Sequence, residues 1–547
     1  MATAEQIMSR LDTIDAARGN WEALWREIAR LILPRNDYFN SSRSEGDKNT
    51  QLQFDSTGAI ALDRFAAAVA SMITPGTQTW HGLTVQDDEL AENPEVQAYL
   101  EQCVKILFRV RYSPAANFAS QVNETYLSVG AFGTGCLFTD ELPGRGIRYR
   151  SIHLGEIHIA ENHQGQIDTV FRKFKLTARQ AKQRFINCPE RITEAAAVKP
   201  DQKFEFVHAV YPRERVQHGR LDYHGMPIES CYVSVEAMQV IEEGGYRTFP
   251  YAVPRYVTGP KEVYGRSPAS TVLADIKMVN EMNKTMIRSA HLAVQPPILV
   301  SDDGALQAFN LRPNALNFGG LDDQGRPRAA PFNNGARVDF GLEIMDQPRK
   351  VINDAFLVSL FQILVESPQM TATEAMLRAQ EKGELLAPSM GRMQSDLLGP
   401  TIERELDIIG RAGLLPPMPD ALAERGGEVH IEYQSPLNRA QRSTEGVAIS
   451  RTLEALTPLA QIDPTVLDIF DSEEIARVLA DINGMPAKTL RTKETLDAMK
   501  QARASSQQAQ QLLAAAPVAA STAKDLAAAQ ATAASSPSAV GNIFGGA

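Results

Sequence analysis

The stretch SPASTVLADIKMVNEMNKTMIRSAHL, residues 267–292, decides the architecture. Val272, Ile276, Val279, Met282 and Met286 follow at spacings of four, three, three and four, the period of an amphipathic helix. Asp275, Lys277, Glu281, Lys284 and Arg288 occupy the other face. Pro268 stands at the start and the Pro296-Pro297 pair breaks the pattern. At 1.5 Å per residue, Pro268 to Leu292 spans roughly 37 Å, long for one helix in a globular domain.

Downstream, a Gly-, Pro- and Asn-rich segment, Gln295 to Phe340, holds strand-like pieces at Ile298–Val300 and Ala315–Phe318. Helix resumes at Gln347-Pro348 and continues through Val351, Ile352, Ala355 and Val358. Two long helices therefore flank a compact insertion. A capping box, Thr371-Ala372-Thr373-Glu374, opens a tract expected to be one long kinked helix to about Ala412, punctuated by Gly383, Pro388 and Gly399-Pro400 and stopped at Gly413. Val429–Tyr433 reads as a strand, followed by helices ending near Lys500. Residues 501–547 are alanine-rich with Arg503, Lys524 and Asp525 as their charges, a composition for a frayed helix or for disorder.

Upstream, Leu11, Ile14, Trp21, Leu24, Trp25, Ile28 and Ile32 predict helix up to Pro34, and Leu62, Phe65, Val69 and Met72 a second helix before Thr74-Pro75-Gly76. Two further helices are expected to begin at Pro94 and Pro114, where a missing N–H costs nothing. From Leu137 to Val257 the signal turns to β: Arg148–Ile152, Ile167–Phe174, Phe204–Tyr211, Cys231–Ile241 and Tyr251–Val257. Thr177-Ala178-Arg179-Gln180 is a capping box for a short helix within this region. The fold class is α+β, mainly helical.

Composition sets limits. The chain has 547 residues, 44% hydrophobic and 22% charged, enough for several globular domains. A net charge of -11 argues against tight DNA binding by phosphate neutralisation. Cys103, Cys136, Cys188 and Cys231 lie too far apart for a zinc knuckle and read as reduced thiols. The first residues lack the features of a signal peptide, and the best apolar run, Ala355 to Val365, is shorter than the ~20 residues of a membrane span. A soluble, unexported protein is expected.

Motifs of chemistry are missing. Gly130-Ala131-Phe132-Gly133-Thr134-Gly135 has the wrong spacing for a dinucleotide loop and reads as a helix-to-strand turn. There is no Gly-Lys dipeptide, hence no P-loop. His153, Glu156, His158 and His163 do not share a strand face and read as polar groups at a sheet edge. Asp302-Asp303 and Asp322-Asp323 precede Gly turns and do not fit a calcium loop. No catalytic, cofactor-binding or metal-ligating residue is assigned, and the chain is not expected to be an enzyme.

Five short segments, in this order, resemble the head-to-tail connector, or portal, proteins of short-tailed bacteriophages. They are Thr74-Pro75-Gly76-Thr77-Gln78-Thr79-Trp80, Gly130 to Gly135, Tyr264-Gly265-Arg266-Ser267-Pro268, Thr371-Ala372-Thr373-Glu374-Ala375-Met376 and Tyr433-Gln434-Ser435-Pro436-Leu437. The resemblance covers most of residues 1–480 and leaves the tail aside. It implies a ring, typically of twelve copies, at one capsid vertex of the virion, assembled in the host cytoplasm, through which double-stranded DNA enters and leaves.

By that resemblance, residues 1–265 are the wing, 266–293 the first stem helix, 294–340 the clip and 341–361 the second stem helix. Residues 362–370 are a channel loop with Gln362, Glu366, Ser367, Gln369 and Met370 toward the DNA, 371–428 the kinked wing helix and 429–500 the crown. Asp302, Asp303, Arg326 and Arg328 of the clip would meet a packaging ATPase (the terminase large subunit) and later tail adaptor proteins. Capsid and scaffolding proteins and transient, non-specific DNA complete the expected partners, with no membrane. The rival readings are another structural assembly protein of a capsid, shell or scaffold, and, more remotely, a DNA-processing enzyme.

Overall fold

The computed structural model describes residues 3–39, 46, 50–91, 93–142, 146–294, 298–300, 321, 324, 327, 329–331, 338–358, 391–426, 429–433, 446, 448–456, 469–482, 495–496, 498–503 and 505–506. Mixed helix and sheet are observed, as the α+β reading requires. The channel-loop residues Gln362, Glu366, Ser367, Gln369 and Met370, the clip residues Asp302, Asp303, Arg326 and Arg328, the Ala315–Phe318 piece and the Thr371 capping box lie outside the described residues.

Two helices open the chain, α1 (Ala4–Ala16) and α2 (Gly19–Ile32), where periodicity predicted one. Arg18 is the reason for the break. Its side chain is buried, and its guanidinium donates to the carbonyls of Ile157 and Leu154, so the backbone turns there to deliver it. Helix α3 (Thr57–Ile73) buries Leu62, Phe65 and Val69 as the spacing requires.

Strand β1 (His81–Thr84) is followed by α4 (Asp88–Ala91) and α5 (Pro94–Arg111). In α5 the Asn93 carboxamide accepts from the Glu95 amide at 2.9 Å with Pro94 in the first turn. The helix expected at Pro114 begins later, as α6 (Phe118–Phe132). The Ala116 carbonyl accepts from Tyr149 N at 3.0 Å, and Asn117 takes a left-handed φ of 57° before the helix starts.

Strands β2 (Leu137–Leu142) and β3 (Gly146–Ser151) form a hairpin, and β4 (Ile157–Glu161) and β5 (Ile167–Thr177) a second. The Thr177–Gln180 capping box starts α7 (Ala178–Arg184), which packs with α8 (Glu190–Val198). Then come β6 (Lys203–Pro212), β7 (Ile228–Ser234), β8 (Gln239–Tyr246) and β9 (Tyr251–Ala252). The run read as one strand over Cys231–Ile241 is thus a hairpin, turned at Met238 with φ 48°. Strands β4 to β8 make an antiparallel five-stranded sheet in sequence order, and β3-β2-β9 a three-stranded one.

Alternation along the strands distributes the large sheet between two covers. Phe171, Val207, Ala209 and Val233 pack with Ile7 and Leu11 of α1, while Phe204, Phe206 and Ile241 pack with Ala178, Ala181, Phe185 and Ile192 of α7 and α8. The largest core lies between α2, α3, α5, α6 and the small sheet.

The long helix is present with a break. A first turn, α9 (Pro268–Thr271), is capped by Ser267, and after Val272 runs α10 (Leu273–Val294). The Ser270 and Thr271 hydroxyls donate back to the Ser267 carbonyl at 2.7 and 3.3 Å, the kind of bond that bends a helix. Strands β10 (Ile298–Val300) and β11 (Ala329–Pro331) pair antiparallel, so the chain returns along α11 (Val338–Ala355). This helix begins before the expected Gln347 and carries Pro348 inside it.

Helix also covers 391–411, with a π turn at Gln394–Leu398 leading into α12 (Gly399–Arg411), the described part of the expected kinked helix. Gly413 ends it with φ +65°. Strand β12 (His430–Tyr433) pairs with β1, a partner the sequence did not announce. Among the described residues no helix is long and apolar enough to cross a membrane.

Candidate functional site

Three of the five segments singled out in the sequence are described whole and the last at Tyr433, and two of them, Gly130–Gly135 and Tyr264–Pro268, meet where the sheet body receives the long helix pair. Gly133 caps α6 in the left-handed region, φ +79°, and its backbone crosses that of Gly265. A Cβ on Gly133 would stand 2.2 Å from the Gly265 carbonyl oxygen, and one on Gly265 2.3 Å from that of Gly133. The crossing is tied by Gly265 N donating to Thr134 Oγ1 at 2.8 Å and Tyr256 N to the Gly133 carbonyl at 2.9 Å. The Gly130–Gly135 segment is a helix-to-strand turn, as read, and within it Gly133 serves the close backbone approach.

From this crossing the chain enters α9 and α10, whose near end is buried through Leu273, Ile276 and Val279. Helix α11 returns to the same place with Ile352 and Phe356 buried. Polar groups clamp the segment before α3 between the two helices. Asn280 Oδ1 accepts from Phe54 N at 2.7 Å and Asp55 N at 3.2 Å, and its Nδ2 donates to the Leu52 carbonyl at 2.9 Å. Asn283 donates to the Phe54 carbonyl. Asp55 accepts from Thr57 N at 2.9 Å and from Arg349 Nη2 of α11 at 2.7 Å. Burial pushes the Asp55 carboxyl up, but hydrogen bonds from Thr57 and Arg349 outweigh it and hold it below the usual carboxylate range.

Other apolar groups of the pair are uncovered. Met278, Ile287, Leu292 and Val294 of α10 and Ile344 and Val351 of α11 are all exposed, Val294 at 80%. Single exposed apolar groups mean little, but here Ile287 and Val294, seven positions apart, lie on one side of α10 and Met278 and Leu292 on the other, so two sides of the pair keep apolar surface that other bodies can cover.

The Thr74–Trp80 segment anchors the opposite flank. Trp80 is fully buried and donates from Nε1 to the Tyr112 hydroxyl at 3.0 Å, which in turn donates to the Thr74 carbonyl at 3.1 Å. The Arg111 guanidinium carbon lies 4.5 Å from the Trp80 ring centroid. Arg111 Nε donates to Glu405 of α12 at 3.0 Å, and the Tyr149 hydroxyl donates to the same carboxylate at 2.6 Å. All three are buried. Burial opposes the Arg111 charge, the Glu405 carboxylate more than restores it, and its pKa is raised. At the next corner, Tyr433 of the fifth segment donates from its hydroxyl to the Gln394 carbonyl of the π turn at 2.9 Å.

Of the residues weighed as metal ligands, His153, His158 and Glu156 are committed elsewhere, and His163 is exposed in the turn between β4 and β5. His153 Nδ1 accepts from Gly155 N at 3.0 Å while Nε2 donates to the Asn36 carbonyl at 2.8 Å, His158 Nε2 is 2.9 Å from Asp15 Oδ1, and Glu156 pairs with Arg172. No group of three or more metal-ligating side chains occurs among the described residues. The sequence reading missed Asn280, Asn283, Arg349 and Glu405. The two asparagines carried a signal, since amides beside Val279 and Met282 on a helix flanked by apolar positions call for partners.

The chain matches the family described as bacteriophage head to tail connecting protein over residues 4–490. It is similar to a probable portal protein of Bordetella phage BPP-1, 28% identical over 524 residues covering 92% of each chain. It is also similar to the portal protein of Salmonella phage epsilon15, 26% identical over 553 residues covering 99% of this chain and 98% of the other.

Proposed function

The chain belongs to the bacteriophage head-to-tail connecting protein family, and from that premise we propose how its parts serve a portal. It is a structural, non-enzymatic portal subunit of the virion, part of a ring at the capsid vertex that links head to tail and passes DNA. The finer assignment is ours. Residues 1–265 form the wing, the stem segments 266–293 and 341–361 hold most of α10 and α11, residues 294–340 form the clip, 371–428 the kinked wing helix and 429–500 the crown. Residues 362–370 face the channel and present Gln362, Glu366, Ser367, Gln369 and Met370 to the duplex.

The helix pair carries this reading. It is rooted in the body by buried apolar and polar contacts, while apolar groups on two sides of it stay uncovered in the single chain. Neighbouring copies of the same pair, set around an axis, would cover those groups on both sides. Net acidity suits a conduit: phosphate contacts would hold DNA still, and a charge of -11 does not favour them. The clip then offers Asp302, Asp303, Arg326 and Arg328 to the packaging ATPase and, after packaging, to tail adaptors; capsid and scaffolding proteins meet the assembly from the head side, after formation in the host cytoplasm.

Electron microscopy of the purified full chain tests the scheme. A closed ring with a central hole, twelvefold by our assignment, is the expected outcome. Shells or filaments would point to the capsid-assembly rival instead. A ring map that put residues 362–370 on the outer rim, or 294–340 away from the end of the helix pair, would remove those assignments and leave the portal role intact.

A further inference from the structure

A cleft of about 660 Å³ opens beside the small sheet, with a charge balance unlike that of the whole chain. Arg148 and Arg150 of β3, Arg172 of β5 and Arg184 of α7 line it against a single carboxyl, Asp140. Arg172 is engaged with Glu156 at 2.9 Å and Arg184 with Glu242 at 3.2 Å. The side chains of Arg148 and Arg150 make no hydrogen bond or ion pair with any described residue. Asn117 and Gln121, from the first turn of α6, bring the amide end of that helix to the same cleft, and Asn117 makes no side-chain cap there.

Clustered like charges raise the energy of the folded chain unless an anion offsets them. Desolvation, then the neighbouring Arg172 and Arg148, lowers the Arg150 pKa from the ordinary arginine range, and burial pushes the Asp140 carboxyl up. The cleft is therefore short of negative charge.

The same chain holds the complement. Residues 87–95 read DDELAENPE, five carboxylates in nine positions, with Glu95 exposed at the start of α5 and Asp87 paired to Arg425. The cleft lies beyond the other end of that helix. A Cβ on Gly146 of β3 would stand 3.3 Å from Val110, and Tyr149 N bonds the Ala116 carbonyl just past α5. Eighteen residues of helix separate the two ends by about 27 Å. One folded chain cannot close that distance. A second copy, displaced sideways, can.

We propose that the Arg148–Arg150 cleft of one subunit receives the acidic segment 87–95 of its neighbour. Closed rings need such heterologous contacts, in which two different patches of the same chain meet. This inference rests on the ring assigned above.

The test is assembly of the full chain carrying Arg148→Glu and Arg150→Glu, followed by sedimentation across a salt series. About a tenfold rise in the protein concentration needed for rings is expected at low salt, with recovery when Asp88→Lys and Glu89→Lys are added to the same chain. Reversal variants that assemble as the unaltered chain does would overturn the contact, provided the unaltered chain forms rings; if it does not, the portal reading falls first and takes the contact with it. Duplex DNA retention lost in the variant with ring assembly unchanged would also overturn it, assigning the cleft to phosphates.

Carbodiimide cross-linking keeps the idea testable if the double variant does not fold. In mixed ¹⁴N/¹⁵N rings of the Arg150→Lys chain, cross-links between differently labelled subunits should join position 150 to carboxylates within 87–95. Cross-links from position 150 to other carboxylates alone would refute the proposal.

Discussion

Glu405 holds the position where one substitution has the largest consequence. Its carboxylate is fully buried and receives Arg111 and Tyr149, and Arg111 rests on Trp80. Glu405→Ala strands a buried guanidinium and should cost about 3–5 kcal/mol of stability. Arg111→Met combined with Glu405→Leu should recover much of that, because no charge is left unpaired. Thermal denaturation of the three variants decides it, and a loss below about 1 kcal/mol for Glu405→Ala would contradict this role.

Histidines set the pH response. Burial, then Arg111, holds His81 well below its ordinary pKa; burial, then Arg18, lowers His158 to about 4; burial and nearby arginines keep His208 well below. The unfolded chain takes up these protons near the ordinary histidine value of about 6.5 and the folded chain does not. Stability is thus complete above that pH and falls below it by about 1.4 kcal/mol per pH unit per histidine, His158 ceasing to contribute below about 4. Urea midpoints should be lower at pH 5 than at pH 8, and equal midpoints would be inconsistent with neutral buried rings. None of this was legible in the sequence, because Arg111 and Glu405 lie 294 positions apart and no local period relates them.

Among elements, the helix pair was the most legible and its root the least. Apolar spacing located α3 and α10, because each buries one face and the face follows from the period; proline at the first helical position located α5, and β-rich runs between turn residues located most strands. Boundaries went astray where a side chain serves a distant partner. Arg18 breaks the first helix to reach two carbonyls, the Ala116 carbonyl is taken by β3, and Ser270 and Thr271 bend the entry to α10. The pairing of β1 with β12 sets His81, just past the first recognised segment, opposite Tyr433, which opens the last, and had no signature in either. The root itself depends on Asn280. Asn280→Ala leaves the Phe54 and Asp55 amides and the Leu52 carbonyl without their partner, at a cost of about 1–3 kcal/mol. Hydrogen exchange at residues 52–57 should quicken while the five-stranded sheet keeps its protection; unchanged exchange there would show that Asn283 and Arg349 hold the segment without Asn280.

For the whole molecule, the sequence disclosed an assembler without chemistry of its own, and the family match agrees. It did so through what it lacks, no phosphate loop and no nucleophile elbow, and through one helix–insertion–helix pattern. The cationic cleft was hidden, since Arg148, Arg172 and Arg184 come from separate elements and gather only on folding. The crossing of Gly133 and Gly265 has a mechanical side. Side-chain packing yields by rotamer changes, whereas two backbones in contact yield hardly at all, so this joint acts as a stiff pivot. Helix α10 is a lever of about 33 Å beyond it, and a tilt of about one degree at the pivot swings the tip by roughly 0.6 Å. In a closed ring every subunit repeats the same tilt, so such errors add around the circumference instead of averaging away. A fulcrum made of two residues without side chains keeps that accumulated misalignment small.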